Sequence, residues 1–123
     1  MRHIWIVIAV SCLYPFASCA QDATELLNRM KAMEDKIKAL DEIIAEAGVS
    51  AEECAFVGDD VADIPPMRRV GLAVAVADAV AETKLAAHYV TDLKGGRGAV
   101  REVCELILKS QGRWPELMRS FTP

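Results

Sequence analysis

Three carboxylates fall within five residues in Gly58-Asp59-Asp60-Val61-Ala62-Asp63, directly after the apolar run 54–57. Like charges this close repel one another unless a cation or a basic side chain neutralises them. Hard oxygen donors of this kind suit Mg²⁺, which is commonly held by one or two carboxylates together with substrate phosphate. Gly58 would let the backbone turn sharply and aim Asp59 into such a site. The same hexapeptide fits an acidic turn that caps the next helix, a frequent use of Asp, and taken alone it carries both readings. A second chemical feature is Gly95-Gly96-Arg97-Gly98. It opens a helix, where exposed N–H groups favour anions. Arg97 offers a forked donor for a phosphate or the carboxylate of a sugar acid. Arg101 has a plainer use, an i,i+4 pair with Glu105.

The elements that would position these residues are legible as apolar runs broken by turn signals. Residues 54–57, 72–76 and 89–91 read as strands, the first ended by Gly58-Asp59-Asp60. Asp63 is placed to cap a helix whose first turn holds Pro65 and Pro66, with Gly71 closing it. A short helix is expected over 80–87, with Asp78 before it as a possible cap, and a longer one over 99–110. The longer one carries Val100, Val103, Leu106, Ile107 and Ser110 near one face. Upstream, residues 24–47 form the clearest helix. Leu26, Met30, Met33, Ile37, Leu40, Ile44 and Ala47 recur at spacings of four and three and make one apolar stripe. Asp22 or Thr24 is positioned to cap its start, and Gly48 ends it where a left-handed residue is wanted. The stripe packs on a sheet or, alternatively, pairs in a short coiled coil. Strands alternating with helices imply an α/β fold with a parallel sheet, and ligands bind at the carboxyl ends of its strands.

Composition narrows the class. The chain has 123 residues, a net charge of −4, 53% hydrophobic residues and 26% charged ones. That is one small globular domain, too apolar for disorder, and its acidity argues against nucleic acid as a partner. Cys12, Cys19, Cys54 and Cys104 form no Cys-x-x-Cys pair and have no His at ligand spacing, which argues against zinc. Cys54 and Cys104 sit in apolar runs and read as reduced core residues. Residues 1–20 form an apolar leader, readable as a secretory signal or as a buried strand over 4–10, and too short for a stable membrane span. Residues 21–34 are a helical lead-in, 35–112 the α/β unit, and 113–123 an apolar tail with Trp114, Leu117, Met118 and Phe121.

The stretch from Cys54 to Ala79, then His88-Tyr89-Val90-Thr91, then Gly95 to Glu105 closely resembles one family. It is the 3-deoxy-D-manno-octulosonate 8-phosphate phosphatases of the haloacid dehalogenase superfamily. The related phosphatase modules attached to N-acylneuraminate cytidylyltransferases share the pattern. The resemblance implies a partial Rossmann-like parallel sheet of haloacid dehalogenase type, lacking the first strands, and Mg²⁺ as cofactor. It implies that Asp59 binds the metal, and that Asp60 and Asp63 orient the metal shell and pair with a lysine. Asp35-Lys36-Ile37-Lys38 points to Lys36 as that lysine, holding the phosphoryl group. Arg97 would contact substrate; His88 is assigned no role. The implied reaction is hydrolysis of a phosphomonoester on an acidic deoxy sugar in the cytoplasm, by a tetramer whose C-terminal tails reach a neighbouring active site. The signal-like leader leaves export open.

The sequence departs from that pattern in two ways. The family attacks phosphorus with the first Asp of an Asp-x-Asp motif, and no Asp-x-Asp occurs in this chain. Without a nucleophile, covalent phosphoryl transfer has no chemical route. In addition, the helical pattern runs unbroken through Lys36, whereas the family has a strand and loop just before this lysine. Three expectations follow: a phosphatase truncated of its nucleophile, a non-catalytic binding module, or an exported interaction protein. The half-sheet is expected to expose an edge unless the N-terminal run or another chain covers it.

Overall fold

A computed structural model describes residues 6–9, by backbone, and residues 23–122. The signal reading of the leader, the Asp22 cap and the thiols Cys12 and Cys19 lie outside the described residues. In chain order the elements are strand β1 (Ile6–Ala9), helix α1 (Ala23–Ala47), a 3₁₀ turn (Ala51–Glu53) and strand β2 (Cys54–Gly58). A second 3₁₀ turn (Val61–Asp63), helix α2 (Ile64–Met67), strand β3 (Leu72–Ala75) and helix α3 (Ala81–Ala86) follow. Strand β4 (Tyr89–Val90), helix α4 (Ala99–Ser110) and helix α5 (Trp114–Arg119) complete the chain.

The strands form one parallel sheet in the order β1-β2-β3-β4. All five residues of β2 are buried, as expected of a central strand covered on both faces. β1 lies along the outer side of β2, with Ile6 opposite Cys54 and Ala9 opposite Val57. The edge expected to be bare is therefore paired by part of the N-terminal run.

Alternation along β2 sorts the core into two layers. Cys54 and Phe56 join Leu40, Met67, Val70 and Ala73 on one face, where α1 and α2 pack. Ala55 and Val57 join Val74, Val76, Ala99, Val103 and Ile107 on the other, beneath α4. Each large side chain removed from water in this way contributes about 1.5–3 kcal/mol. Of the two thiols read as core, Cys54 is fully buried and Cys104 half-buried, and both are free.

Four local expectations change. The apolar stripe of α1 is covered only from Met33 to Ile44, and Ala47 is exposed. Leu40 is 1% exposed, whereas Leu26 and Met30 are 63% and 52% exposed. Thr24 lies inside α1 rather than at its cap, while Gly48 does end it, at φ +66°. Gly71 does not close α2, which ends at Met67 with Arg68 as its C-cap. Gly71 is required for close approach instead, since a Cβ there would lie 1.9 Å from the Glu52 carbonyl oxygen. On α4 the buried face is Ala99, Val103 and Ile107, and Val100 and Leu106 are exposed.

Candidate active site

The carboxyl end of β2 opens into the acidic loop, as it must in a parallel sheet whose strand ends share one side. Asp63 is the hub of this loop and is fully buried. Its Oδ2 accepts hydrogen bonds from the backbone N–H of Asp59 (2.9 Å) and of Asp60 (3.0 Å). Its Oδ1 pairs with the Lys36 ammonium, which α1 delivers from 27 residues upstream. Lys36 is itself nine-tenths buried. A long helix can supply this cation without a preceding loop, because the side chain sits on the stripe that faces the sheet, between Met33 and Leu40. Asp63 was expected to cap α2. Its carboxylate makes no bond to that helix and faces back into the loop.

Gly58 is needed for a different reason from the one its sequence context suggests. Its φ is not positive. A Cβ there would lie 2.6 Å from the Asp63 Cβ, so the glycine makes room for the buried carboxylate. Asp60 is exposed and its Oδ1 accepts from the Val61 N–H at 2.7 Å, capping the 3₁₀ turn. Asp59 is partly buried. Among the described residues its Oδ1 is buried with no hydrogen-bond partner. Burial, then the neighbouring Asp63 carboxylate, which favours a protonated Asp59 as an acceptor and as a like charge, push the Asp59 carboxyl up to about 6, against the opposing pull of Lys36.

Among the described residues no three His, Cys, Asp or Glu side chains converge to form a complete metal cage. The donor chemistry nevertheless fits a hard divalent cation held by one or two carboxylates. The partnerless, buried Asp59 oxygen is the atom with an unmet need, and Asp60 stands beside it.

The second loop follows β4. Arg97 is exposed. Gly96 and Gly98 have φ of +71° and +104°, the left-handed region that favours glycine. Sequence reasoning missed what holds this loop. Glu102 accepts from the Tyr89 hydroxyl (2.8 Å) and from the N–H groups of Asp92 (2.9 Å) and Leu93 (3.0 Å). Those bonds, that of Asp92 foremost, hold the Glu102 carboxyl below the usual range, while the bond to Glu102 raises Tyr89. Asp78 does not cap α3. Its Oδ1 accepts from the Gly95 N–H at 2.8 Å. His88 does have a structural role, its Nδ1 accepting from the Ala73 N–H at 3.0 Å. The Arg101–Glu105 pair forms as expected, at 2.9 Å. No sequence signal marks Glu102 or Asp78, because their partners, the Tyr89 hydroxyl and backbone N–H groups, lie 9 to 17 residues away.

Among the described residues no helix is long and apolar enough to cross a membrane. The 3-deoxy-D-manno-octulosonate 8-phosphate phosphatase KdsC of Yersinia pestis is 53% identical over 79 residues, which cover 64% of this chain and 42% of that protein. Its crystal structure superposes with a TM-score of 0.62, covering 43% of that chain. The Moraxella catarrhalis phosphatase of the same name was solved with a magnesium ion, a phosphate ion and a KDO molecule. It is 38% identical with a TM-score of 0.67, over 72% of this chain and 51% of that one. The cobalt-bound Haemophilus influenzae phosphatase is 42% identical with a TM-score of 0.61, over 63% and 45%. The chain thus spans less than half the length of the Yersinia protein. A family model described as haloacid dehalogenase-like hydrolase matches residues 11–103, well over half of the sequence. By that match the chain belongs to the haloacid dehalogenase-like hydrolases.

Proposed function

We propose that this chain is the metal- and phosphate-binding part of a phosphatase acting on a phosphorylated acidic sugar of the 3-deoxy-D-manno-octulosonate 8-phosphate type. The observation that carries this reading is the buried Lys36–Asp63 pair beside the partnerless Asp59 oxygen. Asp63 does two things there: it fixes the Asp59-Asp60 backbone by two N–H bonds, and it holds the Lys36 ammonium at the mouth of the sheet. Lys36 is then a fixed point charge for phosphoryl oxygens. Asp59 and Asp60 would hold the cation, which when bound neutralises phosphoryl charge as a Lewis acid. Mg²⁺ is the ion we assign. Arg97 would take the sugar carboxylate in a forked pair.

A second reading, a non-catalytic binding module, is favoured by the absence of Asp-x-Asp from the sequence. By the first reading, hydrolysis needs a nucleophilic carboxylate supplied from outside this sequence; by the second, none is used. The exposed Leu117, Met118 and Phe121 support a homo-oligomer that covers them, in keeping with the tetramers of the family. The free Cys54 and Cys104 thiols suit a reducing, cytoplasmic setting.

Isothermal titration with Mg²⁺, beside phosphate release from 3-deoxy-D-manno-octulosonate 8-phosphate, tests the reading on wild type and Asp59→Asn. The expected result is Mg²⁺ binding that Asp59→Asn abolishes, with no release above background by the isolated chain. Equal Mg²⁺ heats in both proteins would sink the metal assignment. Release abolished by Asp59→Asn would mean that a carboxylate such as Asp22, Asp35 or Asp60 serves as nucleophile.

A further inference from the structure

We propose that Asp78 is a positioning residue that ties the glycine loop carrying Arg97 to the acidic loop carrying Asp59. This rests on the reading above, in which both loops face one ligand. The segment between β3 and α3 bonds to the acidic loop at two points, Val76 N–H to the Gly58 carbonyl (3.2 Å) and Val80 N–H to the Asp59 carbonyl (3.0 Å). The same segment reaches the chain after β4. Ala77 N–H donates to the Leu93 carbonyl (3.3 Å) and to Thr91 Oγ1 (3.1 Å). Asp78 Oδ1 accepts from the Gly95 N–H at 2.8 Å.

The anchors of the glycine loop are unequal. Leu93 is held from both sides, by Ala77 and by Glu102. Past Leu93 the side-chain anchor is Asp78 alone among the described residues, and the next bond, Arg97 N–H to the Lys94 carbonyl, lies within the loop. A loop with two left-handed glycines has no rigidity of its own. The carboxylate is exposed, makes no helix cap, and reaches 17 residues along the chain, so it does little for the core. A charge-assisted bond to a backbone N–H is stronger than a neutral one, which suits a pin whose whole effect is on loop placement.

The test uses the full-length chain labelled with ¹⁵N, as wild type, Asp78→Ala, Asp78→Asn, Arg97→Ala and the double variant Asp78→Ala/Arg97→Ala. Amide exchange at Gly95 is read without ligand. It should rise about tenfold in Asp78→Ala and stay near wild type in Asp78→Asn, whose amide oxygen still accepts. Titration with 3-deoxy-D-manno-octulosonate should show Asp78→Ala weakening affinity several-fold, Asp78→Asn restoring it, and the double variant binding no worse than Arg97→Ala. Mg²⁺ affinity should be the same in all five proteins. Unchanged Gly95 exchange in Asp78→Ala, or losses that add in the double variant, overturns the inference. A wild-type protein that does not bind the sugar acid, or an Arg97→Ala variant that binds it normally, overturns the functional reading and the positioning role with it. Gly95 exchange, which needs no ligand, tells the two failures apart.

Discussion

At the scale of single residues the molecule is governed by one buried charge. Asp63 is fully enclosed, and its ionised form is tolerable because two N–H groups and the Lys36 ammonium surround it. Breaking a buried pair by removing one partner costs about 3–5 kcal/mol, because the other charge is left uncompensated. Lys36→Met should therefore lower unfolding stability by about that amount in urea, and Lys36→Met/Asp63→Leu should recover part of the loss. An equal loss in both variants would mean that Lys36 acts through packing rather than charge. Asp59 titrates in the opposite sense to an ordinary paired carboxylate. Its carboxyl is pushed from 3.8 to about 6 in the folded chain, so between those values the folded form holds more protons than the unfolded one. Stability of the metal-free chain should accordingly fall as pH rises from 4 to 6 through this group, and Asp59→Asn should remove that slope. Mg²⁺ must compete with the same proton, so its affinity should drop below about pH 6.

At the scale of elements, sequence and structure agree where a pattern is local and part where it is not. Strands β2 and β3 and helix α4 were legible because apolar runs and turn residues mark them within a few positions. Lys36 was identifiable only through its family context, since the partner that makes it functional is 27 residues away in sequence. Gly71 shows the same limit. Its position after a short helix suggests a cap, yet its φ is not positive and its N–H donates to the Ala51 carbonyl at 3.0 Å. The true constraint is the Glu52 carbonyl 1.9 Å from where a Cβ would be, a contact across nineteen positions that no local pattern encodes. Both sides of that contact are backbone, so relief requires moving the 3₁₀ turn away from β3. Gly71→Ala should cost about 1–3 kcal/mol or more, the range for overpacked interiors. The control is Gly112→Ala, at φ +70° with nothing within 4 Å, where only backbone strain opposes the substitution. A smaller loss at Gly71 than at Gly112 would contradict the close-approach account.

At the scale of the whole molecule, the sheet separates two cores that share little but the strands between them. Leu40 and Phe56 lie in the layer under α1, Ile107 in the layer under α4. Truncating a buried Leu or Ile to Ala typically costs about 2–5 kcal/mol. If the layers are energetically separate, Leu40→Ala and Ile107→Ala should add within about 0.5 kcal/mol. Leu40→Ala and Phe56→Ala share one layer and should depart from additivity by about 0.5–3 kcal/mol. The exposed first turns of α1 make a third case. Leu27 is 65% exposed beside Leu26, a stripe residue that is itself 63% exposed. The apolar stripe predicts a face, but only its middle turns are covered. Leu27→Glu should therefore leave monomer stability within about 0.5 kcal/mol, as for other surface substitutions. Urea unfolding at several protein concentrations checks it. A loss above 1 kcal/mol that grows with concentration would show that these turns are covered by a second chain in solution, whereas a loss independent of concentration would place them against the body of the same chain.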